Sequence, residues 1–159
     1  MKNILFFPIN AEEQFLKVSR ELKSRDPSLK SHFLLLVETE IKDYEDYKTF
    51  DMLVDECKDL SEKKKIAFES KHNFNFNDLI HKGKHFIDQE QEGDLYFKFL
   101  FSLEKYIVEN SIDTIVCSCI SDGITYGTFK LSQSLKVPFL YPMVARVAEN
   151  LYLADSLDS

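Results

Sequence analysis

The sequence has few glycines and lacks the glycine-rich signatures of the commonest nucleotide-binding and hydrolytic α/β domains. It contains four glycines in 159 residues, and none of the patterns G-x-G-x-x-G, G-x-x-x-x-G-K-[ST] and G-x-S-x-G is present. The first apolar run continues instead as F-F-P-I-N-A-E-E. These absences exclude a classical NAD or FAD fingerprint, a P-loop and the nucleophile elbow of α/β-hydrolases.

Cysteine and histidine are also scarce. Three cysteines, an odd number, predict no disulfide framework. Cys117 and Cys119 are two residues apart on a predicted strand, and we expect both to be buried thiols on one face. Only His81 and His85 have an i, i+4 spacing, and they lie in a different, polar region. We therefore expect no metal site and a cytoplasmic protein.

Long apolar runs and clustered positive charge are missing as well. The N-terminal apolar run is interrupted by Pro8 and is too short for a signal sequence, and no other run has the length of a membrane span. The formal net charge of −7 argues against a nucleic-acid partner, which needs a basic face. With 44% hydrophobic residues and no repeat or linker, residues 1–159 are expected to form a single domain.

What the sequence does contain is an alternation of apolar strands and amphipathic helices. Residues 111–142 are predicted to form a strand (114–120), a turn, a helix and a second strand (137–141). A strand, helix and strand of this length form a parallel, right-handed unit. The N-terminal part gives strands at 2–9 and 32–37, a weaker third strand at 51–55, and between the first two a helix with the buried stripe Phe15, Val18 and Leu22.

Together these elements predict an α/β fold. It is a three-layer, Rossmann-like open parallel sheet of about five strands in the order 3-2-1-4-5, with helices on both faces. Residues 150–154 are predicted to add one more short strand.

The longest helical pattern begins near Asp94 and ends near Asn110. Its predicted polar stripe is Lys98, Ser102, Lys105 and Glu109, and its predicted apolar positions are Leu95, Phe99, Leu100, Leu103, Tyr106 and Ile107. A helix with so broad an apolar face is covered on most sides, either by this chain or by a partner. The second alternative predicts a homodimer through this helix.

In an open parallel sheet, ligands bind at the carboxyl ends of the strands where the strand order reverses. With the order 3-2-1-4-5, this crevice lies between the first strand and the strand at 114–120. Three turns are predicted to meet there: residues 7–13, 118–123 and 142–146.

Each turn offers candidate substrate-binding residues, and no catalytic residue is identified among them. Asn10 either caps the first helix or holds an anion or hydroxyl group at its N-terminus. Ser121 and Asp122 have the same two alternatives, and Asp122 is also free to accept sugar hydroxyls or to act as a base. Gly123 either joins them or only permits close packing of the helix on the sheet. Arg146 either binds a phosphate or carboxylate, or pairs with a nearby acidic residue.

Two segments resemble a known family: M-K-N-I-L-F-F-P-I-N at the start and D-G-I-T-Y-G-T-F-K-L-S-Q-S-L-K-V-P-F-L-Y-P-M-V-A-R near the end. They resemble the N-terminal, Rossmann-like half of bacterial GT-B type glycosyltransferases linked to capsular or surface polysaccharide synthesis. Residues 57–93 have little part in this resemblance. The missing glycine-rich turn after the first strand departs from the family pattern.

The resemblance implies an acceptor-side domain that holds a sugar or glycan. Asn10, Asp122 and Arg146 would then reach toward a cleft shared with a C-terminal domain beyond this sequence. Most of the nucleotide-sugar donor is expected on that second domain, so this half alone is expected to bind no other cofactor and to be inactive. The ending S-L-D-S, without a closing helix, is expected of the N-terminal part of a longer chain. The alternative is a stand-alone flavodoxin-like binding or regulatory domain without catalysis of its own.

Overall fold

A computed structural model of the chain describes residues 2–36, 44–73, 75–82, 89–121, 123–144 and 151–154. For residues 80–82, 89–92, 143–144 and 151–154 it describes the backbone alone. The strands are β1 (Asn3–Phe7), β2 (Lys30–Leu35), β3 (Tyr47–Thr49), β4 (Thr114–Cys117), β5 (Phe139–Val144) and β6 (Leu151–Ala154). The helices are α1 (Glu12–Arg25), α2 (Phe50–Glu56), α3 (Glu62–His72), α4 (Phe76–Lys82), α5 (Gln89–Glu109) and α6 (Gly123–Leu135).

The sheet confirms the predicted fold class. Its strand order is β3-β2-β1-β4-β5-β6, and the first five strands are parallel. The predicted short strand at the end of the chain is β6, which pairs antiparallel with β5 at the edge. Within the described residues, no helix is both long enough and apolar enough to cross a membrane.

Helices cover both faces of the sheet, but unequally. Alternate strand residues point to opposite faces, and β1 shows this: Leu5 and Phe7 belong to one core cluster and Phe6 to another. The larger cluster contains residues of α2 to α6, and we call its side the five-helix face. The smaller cluster contains Leu16 of α1, and we call its side the α1 face.

The start of α1 corrects the predicted cap at Asn10. The residue at the N-cap is Ala11, which makes no side-chain capping hydrogen bond. Asn10 has a φ of 54°, in the left-handed region, whereas a capping side chain needs an extended backbone to reach back to the first turn. Asn10 therefore forms the turn that precedes the helix.

The third strand also differs from the prediction. The segment predicted as a strand at residues 51–55 lies in α2, and the edge strand β3 comes just before it. The Oγ1 atom of Thr49 accepts a hydrogen bond from the N–H of Met52 at 3.2 Å, which caps α2. Leu53 then faces the core, with Phe50 and Val54 packed beside it, at helical rather than alternating spacing.

Helix α5 is longer than predicted and is packed within the chain. It contacts α2, α4 and α6, and Leu100 is 1% exposed. Ser102, predicted on a polar stripe, is buried as well. The apolar face of α5 is thus covered by this chain's own helices. The homodimer through this helix stays a prediction.

The region from α3 to α4 contributes to the core more than its charged sequence indicates. Phe68 of α3 is 4% exposed and belongs to the larger cluster. Asn75 lies just before α4, and its Oδ1 atom accepts a hydrogen bond from the N–H of Asn77 at 2.8 Å.

Candidate functional site

The carboxyl ends of β1 and β4 lie side by side, as the predicted crevice requires. Phe7 and Cys117, the last residues of the two strands, are partners in the parallel register. From β1 the chain continues through α1 to β2, and from β4 it continues through α6 to β5 on the other side. The strand order therefore reverses between β1 and β4, which is where open α/β sheets bind ligands.

Ser118 fastens the two turns that leave these strands. Its Oγ atom accepts a hydrogen bond from the N–H of Ile9 at 2.7 Å and lies 3.1 Å from the carbonyl oxygen of Ile9, to which the hydroxyl donates. Its own N–H donates to the carbonyl of Phe7 at 3.1 Å. These contacts extend the pairing of β1 and β4 beyond the strands and fix the wall of the crevice.

Asn10 follows this fastened position directly. Its side chain is exposed, and it makes no hydrogen bond to another described residue. Asparagine is among the few residues that tolerate a positive φ. Its amide group is therefore held at the crevice by the backbone, with a donor and an acceptor free for a ligand.

The turn after β4 is organised by internal hydrogen bonds. The N–H of Ser121 donates to Oγ1 of Thr125 at 3.0 Å, and the thiol of Cys117 donates to the carbonyl of Cys119 at 3.0 Å. The Sγ atom of Cys119 lies 3.4 Å from Oγ of Ser121. Ser121 is exposed at the end of this turn. Cys119 was predicted to be buried but is partly exposed, because β4 ends at Cys117.

Gly123 serves close packing, as one of its two predicted alternatives has it, but the nearest atoms belong to α4 and α5 rather than to the sheet. A Cβ atom at this position would lie 2.6 Å from the carbonyl oxygen of Leu79 and 2.9 Å from the ring of Tyr96. The absence of a side chain lets the first turn of α6 approach α4 and α5. Gly123 is buried, so its part in the crevice is to position the residues before it.

The other two candidates, Asp122 and Arg146, lie outside the described residues. The third predicted turn, at residues 142–146, starts later than expected because β5 continues through Pro142 to Val144. Proline is tolerated there since the described pairing of β5 with β4 ends at Leu140, and beyond it the pairing is with β6 alone.

Two of the described candidate residues at the crevice carry neutral hydrogen-bonding groups. Asn10 supplies an amide and Ser121 a hydroxyl, both exposed. In the part of the chain that the structure describes, no group of three or more His, Cys, Asp or Glu side chains is arranged to hold a metal ion.

Two buried histidines lie away from the crevice, and the sequence analysis did not identify either one. Nδ1 of His32 lies 2.8 Å from the hydroxyl of Tyr106, and Nδ1 of His72 lies 2.7 Å from Oγ of Ser134. The sequence could have indicated that His72 is buried, because it follows the buried Phe68 by four residues and so lies on the same face of α3. Both imidazoles are enclosed by the core, which keeps substrates away from them.

Comparison with protein-family models and with curated proteins found no match to this sequence.

Proposed function

We propose that this chain is the acceptor-side domain of a nucleotide-sugar-dependent glycosyltransferase of GT-B type that acts in surface polysaccharide synthesis. Its crevice at the ends of β1 and β4 holds a sugar or glycan acceptor. The residues proposed to bind this acceptor are Asn10, Ser121, Asp122 and Arg146. A second domain binds most of the nucleotide sugar.

The observation that carries this proposal is the pair of turns that Ser118 fastens together. A rigid wall presents the amide of Asn10 at the switch point, in a backbone conformation that glycine would adopt more easily. Asn10 adds to this turn an exposed side-chain amide, which a glycine would not supply. Neutral amide and hydroxyl groups pair well with sugar hydroxyls, which both donate and accept.

The test compares two matched substitutions, Asn10→Gly and Asn73→Gly. Asn73 also has a positive φ, 51°, but lies at the C-terminal end of α3. Glycine relieves the same backbone cost at both sites, so neither variant should lose stability. We expect binding of neutral oligosaccharides, measured by NMR titration of the labelled chain, to weaken about tenfold in Asn10→Gly, equivalent to ~1.4 kcal/mol. Asn73→Gly should bind like the parent chain.

A panel of oligosaccharides that causes no saturable shifts at residues 9–11 and 118–121 would contradict the proposal. Equal binding by the two glycine variants would also contradict it. The same panel with nucleotide sugars separates donor from acceptor binding, and the donor should bind this domain weakly. If the natural protein, with every domain it carries, binds glycans but transfers no sugar from any nucleotide sugar, the flavodoxin-like binding domain becomes the better interpretation.

A further inference from the structure

A serine, a histidine and a glutamate meet on the five-helix face, at the end of the molecule opposite the crevice. Helix α6 starts beyond the carboxyl end of β4 and leads back to the parallel strand β5, so its last turn lies near the amino ends of these strands. Ser134 is in that last turn, His72 is the last residue of α3, and Glu104 is in α5. This cluster shares no residue with the crevice.

The imidazole of His72 connects the other two side chains. Its Nδ1 atom lies 2.7 Å from Oγ of Ser134, and its Nε2 atom lies 3.1 Å from Oε2 of Glu104. Oε1 of Glu104 also accepts a hydrogen bond from the ammonium group of Lys71. A hydroxyl, an imidazole and a carboxylate in this order are the parts of an activated nucleophile, in which the imidazole takes the hydroxyl proton and the carboxylate stabilises the charged ring.

Glu104 determines which ring nitrogen of His72 carries the proton. A neutral imidazole has one N–H and one acceptor nitrogen, whereas an ionised carboxylate only accepts. Because Nε2 faces the carboxylate, the proton is favoured on Nε2, and Nδ1 is left as an acceptor. The hydroxyl of Ser134 therefore donates to Nδ1, which is the direction that activation of the hydroxyl requires.

The three side chains differ in exposure as such a site requires. The side chain of His72 is 0% exposed and that of Glu104 is 12% exposed, so solvent screens their attraction little. Ser134 is exposed, so a reagent reaches its hydroxyl without entering the core around the imidazole. The base is thus held inside the protein, and the nucleophile faces solvent.

The position of Ser134 on α6 determines which reagent this site can use. The last turn of a helix presents carbonyl groups rather than N–H groups. Carbonyl oxygens disfavour the oxyanion that forms when a hydroxyl attacks a carbonyl carbon, and N–H donors are what stabilises that charge in acyl-transfer enzymes. An acyl donor with a poor leaving group would therefore react too slowly here. For the same reason a serine ester, once formed, should hydrolyse slowly and persist.

We propose that Ser134 is a modification site at which this chain accepts an acyl group from an activated acyl donor, a thioester or an activated ester. Oγ of Ser134 bonds to the carbonyl carbon of the donor while Nδ1 of His72 takes the hydroxyl proton. The bond from that carbon to the sulfur or oxygen of the leaving group breaks, and the leaving group takes the proton from Nδ1. The acyl group remains on Ser134 as an ester, at a site separate from the crevice.

The test uses p-nitrophenyl acetate as the donor and measures acetylated serines by quantitative peptide mass spectrometry. Ser70 is the internal control, because it is exposed on α3 and makes no hydrogen bond to another described residue. We expect Ser134 to be acetylated about 100-fold faster than Ser70, the lower end of what a general base contributes. The acetyl group should stay on Ser134 after the donor is removed.

Two matched substitutions test the activation. Glu104→Gln should slow acetylation of Ser134 about tenfold, because a neutral amide does not stabilise the protonated imidazole. Lys71→Met removes the other partner of Glu104 and should not slow it. Both are at side chains with access to solvent, and urea unfolding checks that both variants fold. His72→Gln should lower the rate at Ser134 to that at Ser70, and if this variant does not fold, the comparison of the other two still decides.

The proposal is overturned if Ser134 is acetylated no faster than Ser70, or if Glu104→Gln and Lys71→Met give the same rate at Ser134. It is also overturned if the acetyl group leaves Ser134 as soon as the donor is removed, because the cluster would then hydrolyse esters rather than hold an acyl group.

Discussion

The hydroxyl of Ser118 holds both backbone groups of Ile9, accepting from its N–H at 2.7 Å and donating to its carbonyl at 3.1 Å. One short side chain thus satisfies two backbone groups of a loop that has left the sheet. Such satisfaction of backbone polar groups is what a half-buried loop requires. Ser118 thereby ties the turn after β1 to the turn after β4.

Ser118→Ala should destabilise the protein, because it leaves the N–H and the carbonyl of Ile9 in a half-buried place without this partner. We expect the free energy of unfolding to fall by about 1–3 kcal/mol. Ser121→Ala is the control, since Ser121 is exposed three residues later and should change stability by no more than ~0.5 kcal/mol. Urea unfolding measures both. Equal effects of the two substitutions would mean that Ser118 does not fasten the turns.

Gly123→Ala should be more harmful than Gly127→Ala. At position 123 a methyl group would meet a backbone oxygen, that of Leu79, at 2.6 Å, so α4 or α6 would have to move. At position 127 it would meet methyl groups of Leu100 at 3.0 and 3.3 Å, and a side chain can adjust.

We expect Gly123→Ala to cost about 1–3 kcal/mol of stability. In Gly127→Ala the crowding is offset by the better helix propensity of alanine, ~1 kcal/mol. Thermal unfolding of the two variants gives the comparison. A Gly127→Ala variant that is the less stable of the two would contradict this account.

The pair formed by His32 and Tyr106 predicts a stability that depends on pH at both ends of the range. Burial lowers the pKa of His32, an effect that nearby Asp46 partly opposes. The folded state therefore binds fewer protons than the unfolded state when the pH falls below ~6.5, the ordinary histidine pKa. Stability is then full above that pH and is lost as the pH falls below it.

At high pH the sign reverses. Burial raises the pKa of Tyr106 to about 12, so between pH ~10, its ordinary value, and 12 the folded state keeps a proton that the unfolded state releases. Stability should fall as the pH rises through this window. Urea unfolding at a series of pH values checks both limbs.

The double substitution His32→Leu with Tyr106→Phe removes both titrating groups and leaves no polar partner behind. Its stability should fall less than that of the parent chain below pH ~6.5 and above pH ~10. If the parent and the double variant have parallel pH profiles, other groups control the pH dependence.

The sheet topology was predictable because its central strands are marked by continuous apolar runs, and general rules describe how such strands are connected and ordered. Continuous apolar runs predicted β1, β2, β4 and β5, and 3-2-1-4-5 is a common strand order of such doubly wound sheets, which places the switch point between the first and fourth strands. The edge was not predictable. β3 has only three residues, and the segment Asp51 to Asp55 is apolar enough for either a strand or one side of a helix.

The backbone conformation of Asn10 and the exposure of the apolar stripe on α1 depend on tertiary structure, which sequence patterns do not report. Asn10 could have capped α1, and its actual positive φ follows from how the turn meets Ser118, 108 residues later in the chain. The stripe Phe15, Val18 and Leu22 was predicted to be buried, yet Val18 is 44% exposed. Periodicity identifies residues suited to burial, but the presence of a covering element depends on tertiary structure.

His72 joins three helices of the five-helix face. Its Nδ1 atom lies 2.7 Å from Oγ of Ser134 on α6, and its ring centroid is 4.4 Å from that of Phe68 on α3. Its Nε2 atom lies 3.1 Å from Oε2 of Glu104 on α5, which is close enough for electrostatic attraction, although the two groups are not aligned as a hydrogen bond.

His72→Ala should cost about 2–4 kcal/mol, because it opens a cavity in the core and removes the contact with Ser134. Ser134→Ala should cost about 1–2 kcal/mol, since a buried ring nitrogen loses its partner. Gln133→Ala, at the exposed neighbouring position, is the control and should be nearly neutral. A double-mutant cycle between positions 72 and 134 should give a coupling energy of about 0.5–3 kcal/mol in urea unfolding. Additive effects would mean that the hydroxyl of Ser134 contributes independently of the imidazole, so that packing alone joins α3 to α6.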